Sequence, residues 1–270
     1  IPLAVRGRLL VTVHDLIHLR AEFVQGSHRR LYAKAMFAAV ARRANAVICV
    51  SHHTADELLR KTSMDATRVH VIPNGVDPVF FGIRRESPPE RPYLLYIGNV
   101  KPHKNLRALI SAFRSVRDRI PHDLLIVGKK EGFITGDAEV ERAAVELRGR
   151  VRFTGYLPDA ELRRYLGGAT ALVFPSLYEG FGLPALEAMA SGCPVLVSET
   201  TSLPEVCGDA ALYFDPRRPE EIADRILTLV RDEGLWRELS ARGVERARLF
   251  PWEESARRTG EVMEAVLRGA

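Results

Sequence analysis

The chain has 270 residues, 46% hydrophobic and 27% charged, the composition of a folded globular protein rather than a disordered, collagenous or disulfide-scaffold chain. No apolar run approaches the roughly 20 residues that a membrane helix needs, and the three cysteines, Cys49, Cys193 and Cys207, form no CxxC pair, which sets aside a zinc or disulfide framework. Residues 1–91 hold 14 Lys/Arg against 8 Asp/Glu, and residues 92–270 hold 25 against 26, so the positive excess sits in the first third and points to a phosphate-bearing partner or an anionic membrane surface.

Short β-rich runs alternate with helical patterns from end to end. Strands are expected at 9–13, 46–50, 69–72, 93–97, 123–127, 151–153, 171–174, 195–197 and 211–214. Their apolar residues are consecutive rather than alternating, as in parallel sheets covered on both faces. The first helix is expected at 28–43, with Leu31, Ala35, Ala38 and Ala39 as its apolar side and basic residues opposite. Ser51 reads as the N-cap of a helix at 52–61. Amphipathic patterns follow at 106–119 and 138–147, and Asn105 reads as an N-cap for the first of these. Pro158-Asp159 opens a short helix that ends near Gly167-Gly168. Pro184 opens another, closed by Gly192. Ser202-x-x-Glu205 reads as a capping box. Helices at 219–232, 235–248 and 252–268 finish the chain.

Such alternation implies doubly wound α/β architecture. The stretch 80–92, with Pro88, Pro89 and Pro92 among charges, reads as an interdomain linker. The domain expectation is therefore a first lobe at 1–85, a second at 86–250, and a closing helix at 251–270 that packs back on the first. Only about three strands precede the linker, against the five or six usual in a nucleotide-binding sheet, so the first lobe is expected to be incomplete. The start at Ile1 agrees with a partial sequence. Unpaired thiols and the lack of a signal peptide fit a cytoplasmic protein.

Chemistry concentrates in three places. Phe174-Pro-Ser-Leu-Tyr-Glu-Gly-Phe-Gly-Leu-Pro-Ala-Leu-Glu187 runs from a strand through a glycine loop into a helix. Glycines let backbone approach a ligand, and the helix start offers amides and a positive dipole end to a phosphate. Glu179 lies in the loop, and Glu187 in an otherwise apolar helix turn, where a carboxylate calls for a partner or for hydroxyls that donate to it. Gly98-Asn99-Val100-Lys101-Pro102-His103-Lys104-Asn105 follows the first strand of the second lobe, where a lysine can neutralise a diphosphate. Val13-His14-Asp15 follows a strand of the first lobe, where a histidine can bond a hydroxyl. Gly180-x-Gly182-x-x-Ala185, with Glu199 beyond, also fits a dinucleotide fingerprint. However, Pro175–Glu179 separate the strand from the first glycine, and Pro184 occupies a spacer.

Glu179 to Glu187 reproduces the E-x7-E motif of the retaining glycosyltransferase family 4, whose fold is GT-B. The resemblance extends from Pro175 to Val195 and to Val13-His14-Asp15, Val50-Ser51, Ile72-Pro-Asn-Gly-Val-Asp77 and Phe153-Thr-Gly-Tyr156. The His-Asp-Leu and Pro-His-Lys-Asn motifs resemble a branch of mannosyl- and rhamnosyltransferases. The resemblance implies two Rossmann-like lobes and transfer of a sugar from a GDP-, UDP- or dTDP-sugar to a glycan or lipid-linked acceptor, without metal or other cofactor and without nucleic acid. It implies that Glu187 holds the donor ribose and Glu179 contacts the donor sugar. Gly180 and the backbone of Phe181, Gly182 and Leu183 meet sugar and diphosphate. Lys104 neutralises the diphosphate, with Gly98 and Asn99 beside it. Gly155 and Tyr156 border the base, and His14 lies beside the transferred sugar. Relatives carry Arg where Asn99 stands, and Lys101 or His103 is expected to substitute. The basic helix at 28–43 is expected to bring the protein peripherally to the inner face of an anionic membrane. Two other readings are a nucleotide-sugar-binding module without turnover and an NAD-dependent oxidoreductase.

Overall fold

The structure is a computed structural model that describes residues 7–24, 26–83, 91–128, 140, 142, 145–147 and 149–269. Residues 84–90 of the expected linker and half of the expected helix at 138–147 lie outside these. Contacts divide the chain into two units. Unit 1 holds Ile1–Gly75, Glu179–Phe181 and Phe250–Ala270, and unit 2 holds Val76–Tyr178 and Gly182–Leu249.

Unit 1 contains a parallel sheet of β1 (Leu10–Val13), β2 (Ala46–Cys49) and β3 (Val69–Val71), paired in that order. Helices α1 (Ser27–Arg43) and α2 (His52–Lys61) connect the strands. The apolar run of β2 has a direct cause. Val47 and Cys49 join a core with Val40, Ala41, Ala44, Ala55 and Leu58. Their alternates Ala46 and Ile48 join Val262 and Val266 of the last helix of the chain, α9 (Trp252–Arg268). Period-two alternation thus feeds two cores, and neither face of the strand is left wet. Arg258 and Ser255 of α9 donate to the carbonyls of Val71 (2.7 Å) and Pro73 (2.6 Å), and Gly75 lies so close to Trp252 that a Cβ would sit 2.5 Å from its backbone nitrogen.

The expected apolar side of α1 is not its buried side. Ala33, Val40 and Ala41 are buried, with Phe37 packed against the same core, while Leu31 is 69% exposed and Ala35 is exposed too. Alanines lie all round this helix, so its sequence carries no clear 3.6-residue signal, and the sheet decided which face to cover.

Unit 2 is a six-stranded parallel sheet in the order β6-β5-β4-β7-β8-β9. Its strands are β4 (Tyr93–Ile97), β5 (Asp123–Val127), β6 (Val151–Gly155), β7 (Ala171–Phe174), β8 (Val195–Ser198) and β9 (Ala211–Phe214). Helices α3 (Leu106–Val116), α4 (Asp159–Gly168), α5 (Leu183–Ala190), α6 (Leu203–Cys207), α7 (Pro219–Arg231) and α8 (Glu233–Ala247) accompany them. The pattern at 106–119 is not one helix: α3 stops at Val116, and Arg117–Arg119 form a 3-10 turn. The capping box does not form. Ser202 already has helical backbone angles (φ −83°, ψ −12°), and its side chain makes no cap hydrogen bond, whereas a capping serine needs extended backbone. Ser51 has it (φ −155°), and its Oγ accepts from the Thr54 amide at 3.1 Å.

Candidate active site

The strand order of unit 2 reverses between β4, the first strand laid down, and β7, the fourth. In an open parallel sheet a ligand binds beyond the carboxyl ends of the strands at that switch point, because the two loops there diverge and leave a crevice. The loop after β4 is Gly98–Asn105 and the loop after β7 starts with Pro175–Tyr178, so unit 2 brings both loops out at the same end of neighbouring strands.

Backbone and side chain bind these loops together. The Leu177 amide donates to the His103 carbonyl at 2.7 Å. Asn105 does not cap α3 with its side chain. It sits in the left-handed region (φ 55°), and its Nδ2 donates to the carbonyls of Pro175 (3.1 Å) and Pro216 (2.7 Å). One amide group therefore ties the loop after β4 to the loops after β7 and β9, a role that the sequence pattern does not signal. Lys104 projects from the short turn Pro102–Lys104, its Nζ 5.2 Å from the centroid of the Phe174 ring, a cation–π arrangement that orients the ammonium.

Gly182 starts α5 with φ 111°, a backbone conformation that favours glycine, and a Cβ there would lie 2.6 Å from Leu203 Cδ2, which would have to give way. Its carbonyl accepts the Ala185 amide at 3.0 Å, which closes the first turn. Leu183 and Pro184 follow, and the dipole of α5 points its positive end toward the loop. Glu187 lies half-buried one turn further, between buried Leu186 and Ala188. Burial, aided by the charge of Asp159, pushes its carboxyl up to about 7 from the ordinary 4.5. Between those values the folded chain holds a proton that the unfolded chain has lost, so this group makes the fold less stable as pH climbs through that window.

Gly155 ends β6 with φ 78°, and its carbonyl accepts the Gly128 amide at 3.0 Å. Gly128 is itself pressed on the loop after β4: a Cβ there would fall 2.2 Å from the Gly98 carbonyl oxygen. Tyr156 stands 68% exposed beside Gly155. The Asn99 carbonyl lies 3.4 Å from the Tyr96 hydroxyl. His103 is the weaker of the two candidates for the cation beside Asn99. Burial and the charges of Lys104 and Lys101 push its imidazole down to about 4, so it is neutral at pH 7. Lys101 is exposed.

Unit 1 gathers the other motif residues. Contacts assign Glu179–Phe181 to it. Gly180 is buried against the peptide that follows β1: a Cβ at 180 would lie 1.9 Å from the His14 carbonyl oxygen and 3.0 Å from Asp15 Cβ. The Gly180 carbonyl accepts from Ser51 Oγ at 2.7 Å and from Thr54 Oγ1 at 3.1 Å. Phe181 is buried, its ring edge-on to Phe250 at 5.9 Å between centroids. His14 is exposed, and Glu179 is half-buried. Expected site residues thus fall into two sets: His14, Glu179, Gly180 and Phe181 in unit 1, and Gly98, Asn99, Lys104, Gly155, Tyr156, Gly182, Leu183 and Glu187 in unit 2. The sequence reading missed Thr54, Asn105 and Gly128 as site-building residues. Among the described residues no group of three or more His, Cys, Asp or Glu is placed to hold a metal ion, and no helix is long and apolar enough to cross a membrane.

Comparison with known proteins agrees with this architecture. The family model described as glycosyl transferases group 1 matches residues 83–250, and that described as glycosyltransferase family 4 matches residues 2–80. The O-antigen chain mannosyltransferase B of Escherichia coli is 33% identical over 266 residues, covering 93% of this chain and 69% of that protein. The MMP alpha-(1->4)-mannosyltransferase of Mycolicibacterium hassiacum is 32% identical over 232 residues, covering 84% of this chain and 56% of that one. Among solved structures, sucrose-phosphate synthase from Thermosynechococcus elongatus superposes with a TM-score of 0.85 at 25% identity, over 99% of this chain and 70% of that one. Anabaena HepE, solved with UDP and glucose, superposes at 0.80 with 19% identity, over 96% and 72%. The chain belongs to the group 1 glycosyltransferases, of the family 4 type, and carries their GT-B fold.

Proposed function

We propose that unit 2 binds a nucleoside-diphosphate sugar, and that the chain moves the sugar, mannose in the first instance, to an acceptor hydroxyl of a growing glycan or glycolipid with retention of configuration. The observation that carries this reading is that the loop with Lys104 is bonded, at the switch point between β4 and β7, to the loop after β7 that leads toward α5, with Glu187 one turn into that helix. The named mannosyltransferases among the relatives favour mannose.

As the glycosidic bond breaks, positive charge spreads over the sugar and negative charge grows on the departing diphosphate. Lys104 and the amides at the start of α5 meet that negative charge, where preorganised donors lower the barrier most. No D-x-D triplet occurs in the sequence, so the proposal assigns charge neutralisation to these groups and to Lys101 rather than to a carboxylate-held metal. Glu187 accepts two ribose hydroxyls, Glu179 holds the sugar, Tyr156 borders the base, and His14 bonds a sugar hydroxyl. Turnover assays of this protein against GDP-, UDP- and dTDP-sugars test the reading, with transfer from GDP-mannose expected. A larger thermal shift with NAD than with any nucleoside diphosphate would overturn it, and nucleotide binding without transfer would leave a binding module.

Glu187 supplies a pH test. Hydroxyls that donate to a carboxylate favour its charged form. Nucleotide binding is therefore expected to strengthen as pH rises through 7 and to release protons near that pH. Calorimetry in two buffers of different ionisation heat reads the release, and Glu187→Gln should abolish it.

We infer also that unit 1 meets an anionic lipid surface. Leu31 and Tyr32 stand 69% and 68% exposed on α1, near the exposed cations Arg29 and Lys34. A groove of about 600 Å³ beside them sets Lys34, Arg60 and Lys61 over Leu19, Phe37 and Ala38, a lining suited to a phosphate with an apolar tail. Binding to vesicles containing anionic lipid is expected to weaken as salt rises from about 0.1 to 1 M, since the screening length falls from ~10 to ~3 Å. Binding that ignores salt, or no binding, counts against it.

A further inference from the structure

The Gly180 carbonyl, in the loop that carries Glu179, is held by two hydroxyls. Gly180 is buried, and a buried carbonyl oxygen must have its lone pairs met. Ser51 Oγ approaches the Gly180 oxygen at 2.7 Å and Thr54 Oγ1 at 3.1 Å, both fully buried. The two hydroxyl oxygens lie 3.1 Å apart, and Ser51 Oγ also receives the Thr54 amide at 3.1 Å. Each hydroxyl has one hydrogen. If both hydrogens go to Gly180, Ser51 still accepts the amide, and every group is satisfied. From the opposite side the His14 carbonyl leaves no room for any side chain at 180. Gly180 is thus clasped between the first turn of α2 and the peptide after β1, with the Phe181 ring wedged against Phe250 one residue on.

We propose that Ser51 and Thr54 are positioning residues for sugar transfer: their paired hydroxyls fix the Gly180 carbonyl, and so hold the Glu179 carboxylate and the Phe181 amide where the donor sugar must react. This rests on the reading that Glu179 contacts the donor sugar. A loop with a glycine at its centre has many conformations to lose, and two hydroxyls on a rigid helix turn select one of them. Ser51 has a second duty as N-cap of α2, while Thr54 does not, so Thr54 isolates the clasp. The proposed function places the nucleoside at Glu187 and Tyr156 and the charge of the diphosphate at Lys104 and the start of α5, all in unit 2 and outside the clasp, so its loss should leave most of the nucleotide affinity in place.

The test is the series Thr54→Val, Thr54→Ser and Ser51→Ala on the intact protein. Thr54→Val keeps the shape and removes the hydroxyl. It is expected to lower kcat for sugar transfer by about 10- to 100-fold, to leave the Kd for GDP or UDP within about twofold, and to speed hydrogen exchange of the amides at 179–182. Thr54→Ser, which keeps the hydroxyl, should restore both rate and protection. Ser51→Ala should act the same way with an added loss of thermal stability. Unchanged transfer in Thr54→Val despite faster exchange overturns the positioning role, as does a loss of transfer that Thr54→Ser fails to restore. Unchanged exchange overturns the clasp itself. The exchange readout needs no turnover, so failure of the parent transferase reading, no transfer by the unmodified protein from any nucleotide sugar, shows up separately and removes the reaction that the clasp is proposed to serve.

Discussion

Replacing Lys104 by alanine is expected to lower kcat for sugar transfer by about 100- to 1000-fold, the usual cost of deleting one preorganised partner for charge that develops in a transition state. The protein should fold normally. The turn Pro102–Lys104 is held by the His103 carbonyl, which accepts the Leu177 amide at 2.7 Å, and by the Asn105 side chain. The loss should fall mainly on kcat, because the diphosphate gains charge as the sugar leaves. Lys104→Arg should recover part of the rate: it restores the charge with a planar head that seats differently over the Phe174 ring. A steady-state comparison of the three proteins decides. A rise in KM with kcat unchanged would mean that Lys104 binds ground state and transition state alike, and the electrostatic role would fall.

Gly180→Ala is expected to be the most damaging single-methyl change in the loop. The added carbon would sit 1.9 Å from the His14 carbonyl oxygen and 2.9 Å from its carbon. Neither neighbour is the far end of a flexible side chain, so the backbone of the loop or of the peptide after β1 must move. Overpacking of this kind costs about 1–3 kcal/mol, and a displacement of about 1 Å at a reacting centre can cost about 100-fold in rate. Both effects should appear, as a lower Tm and near-complete loss of transfer. The control is Gly260→Ala within α9, where a Cβ meets nothing within 4 Å. It should leave transfer unchanged and add up to about 1 kcal/mol, since alanine is the better helix former. Equal behaviour of the two variants would contradict the close approach at Gly180.

The two changes probe groups that differ in how visible they are in the sequence. Lys104 stands in a loop directly after a strand, and a lysine there at once suggests an anion. Gly180 lies in a glycine loop, but the reason it must be glycine is a carbonyl about 165 positions away in the chain. Ser51 was legible as an N-cap because capping is a local hydrogen bond to the third residue on. Its bond to Gly180, 129 residues distant, was not. Asn105 shows the same divide. Its position before α3 reads as a cap, yet its left-handed backbone turns the amide toward Pro175 and Pro216, a choice made by three loops that meet only after the sheet forms. Charge followed suit: His103 counts as a possible cation in the sequence, and burial between lysines makes it neutral.

The strands, the parallel α/β class and the glycine-rich approach to α5 were determined by the sequence alone, because a strand buried on both faces must be continuously apolar, and a backbone at positive φ favours glycine. What only the tertiary structure decided was which side of α1 is buried, that the strand order reverses between β4 and β7, and that the Gly180 carbonyl accepts from the hydroxyls of Ser51 and Thr54. Local pattern reports a residue's wish to be buried or to turn. Which partner receives it depends on contacts between segments far apart in the chain, and those exist only once the sheets have assembled.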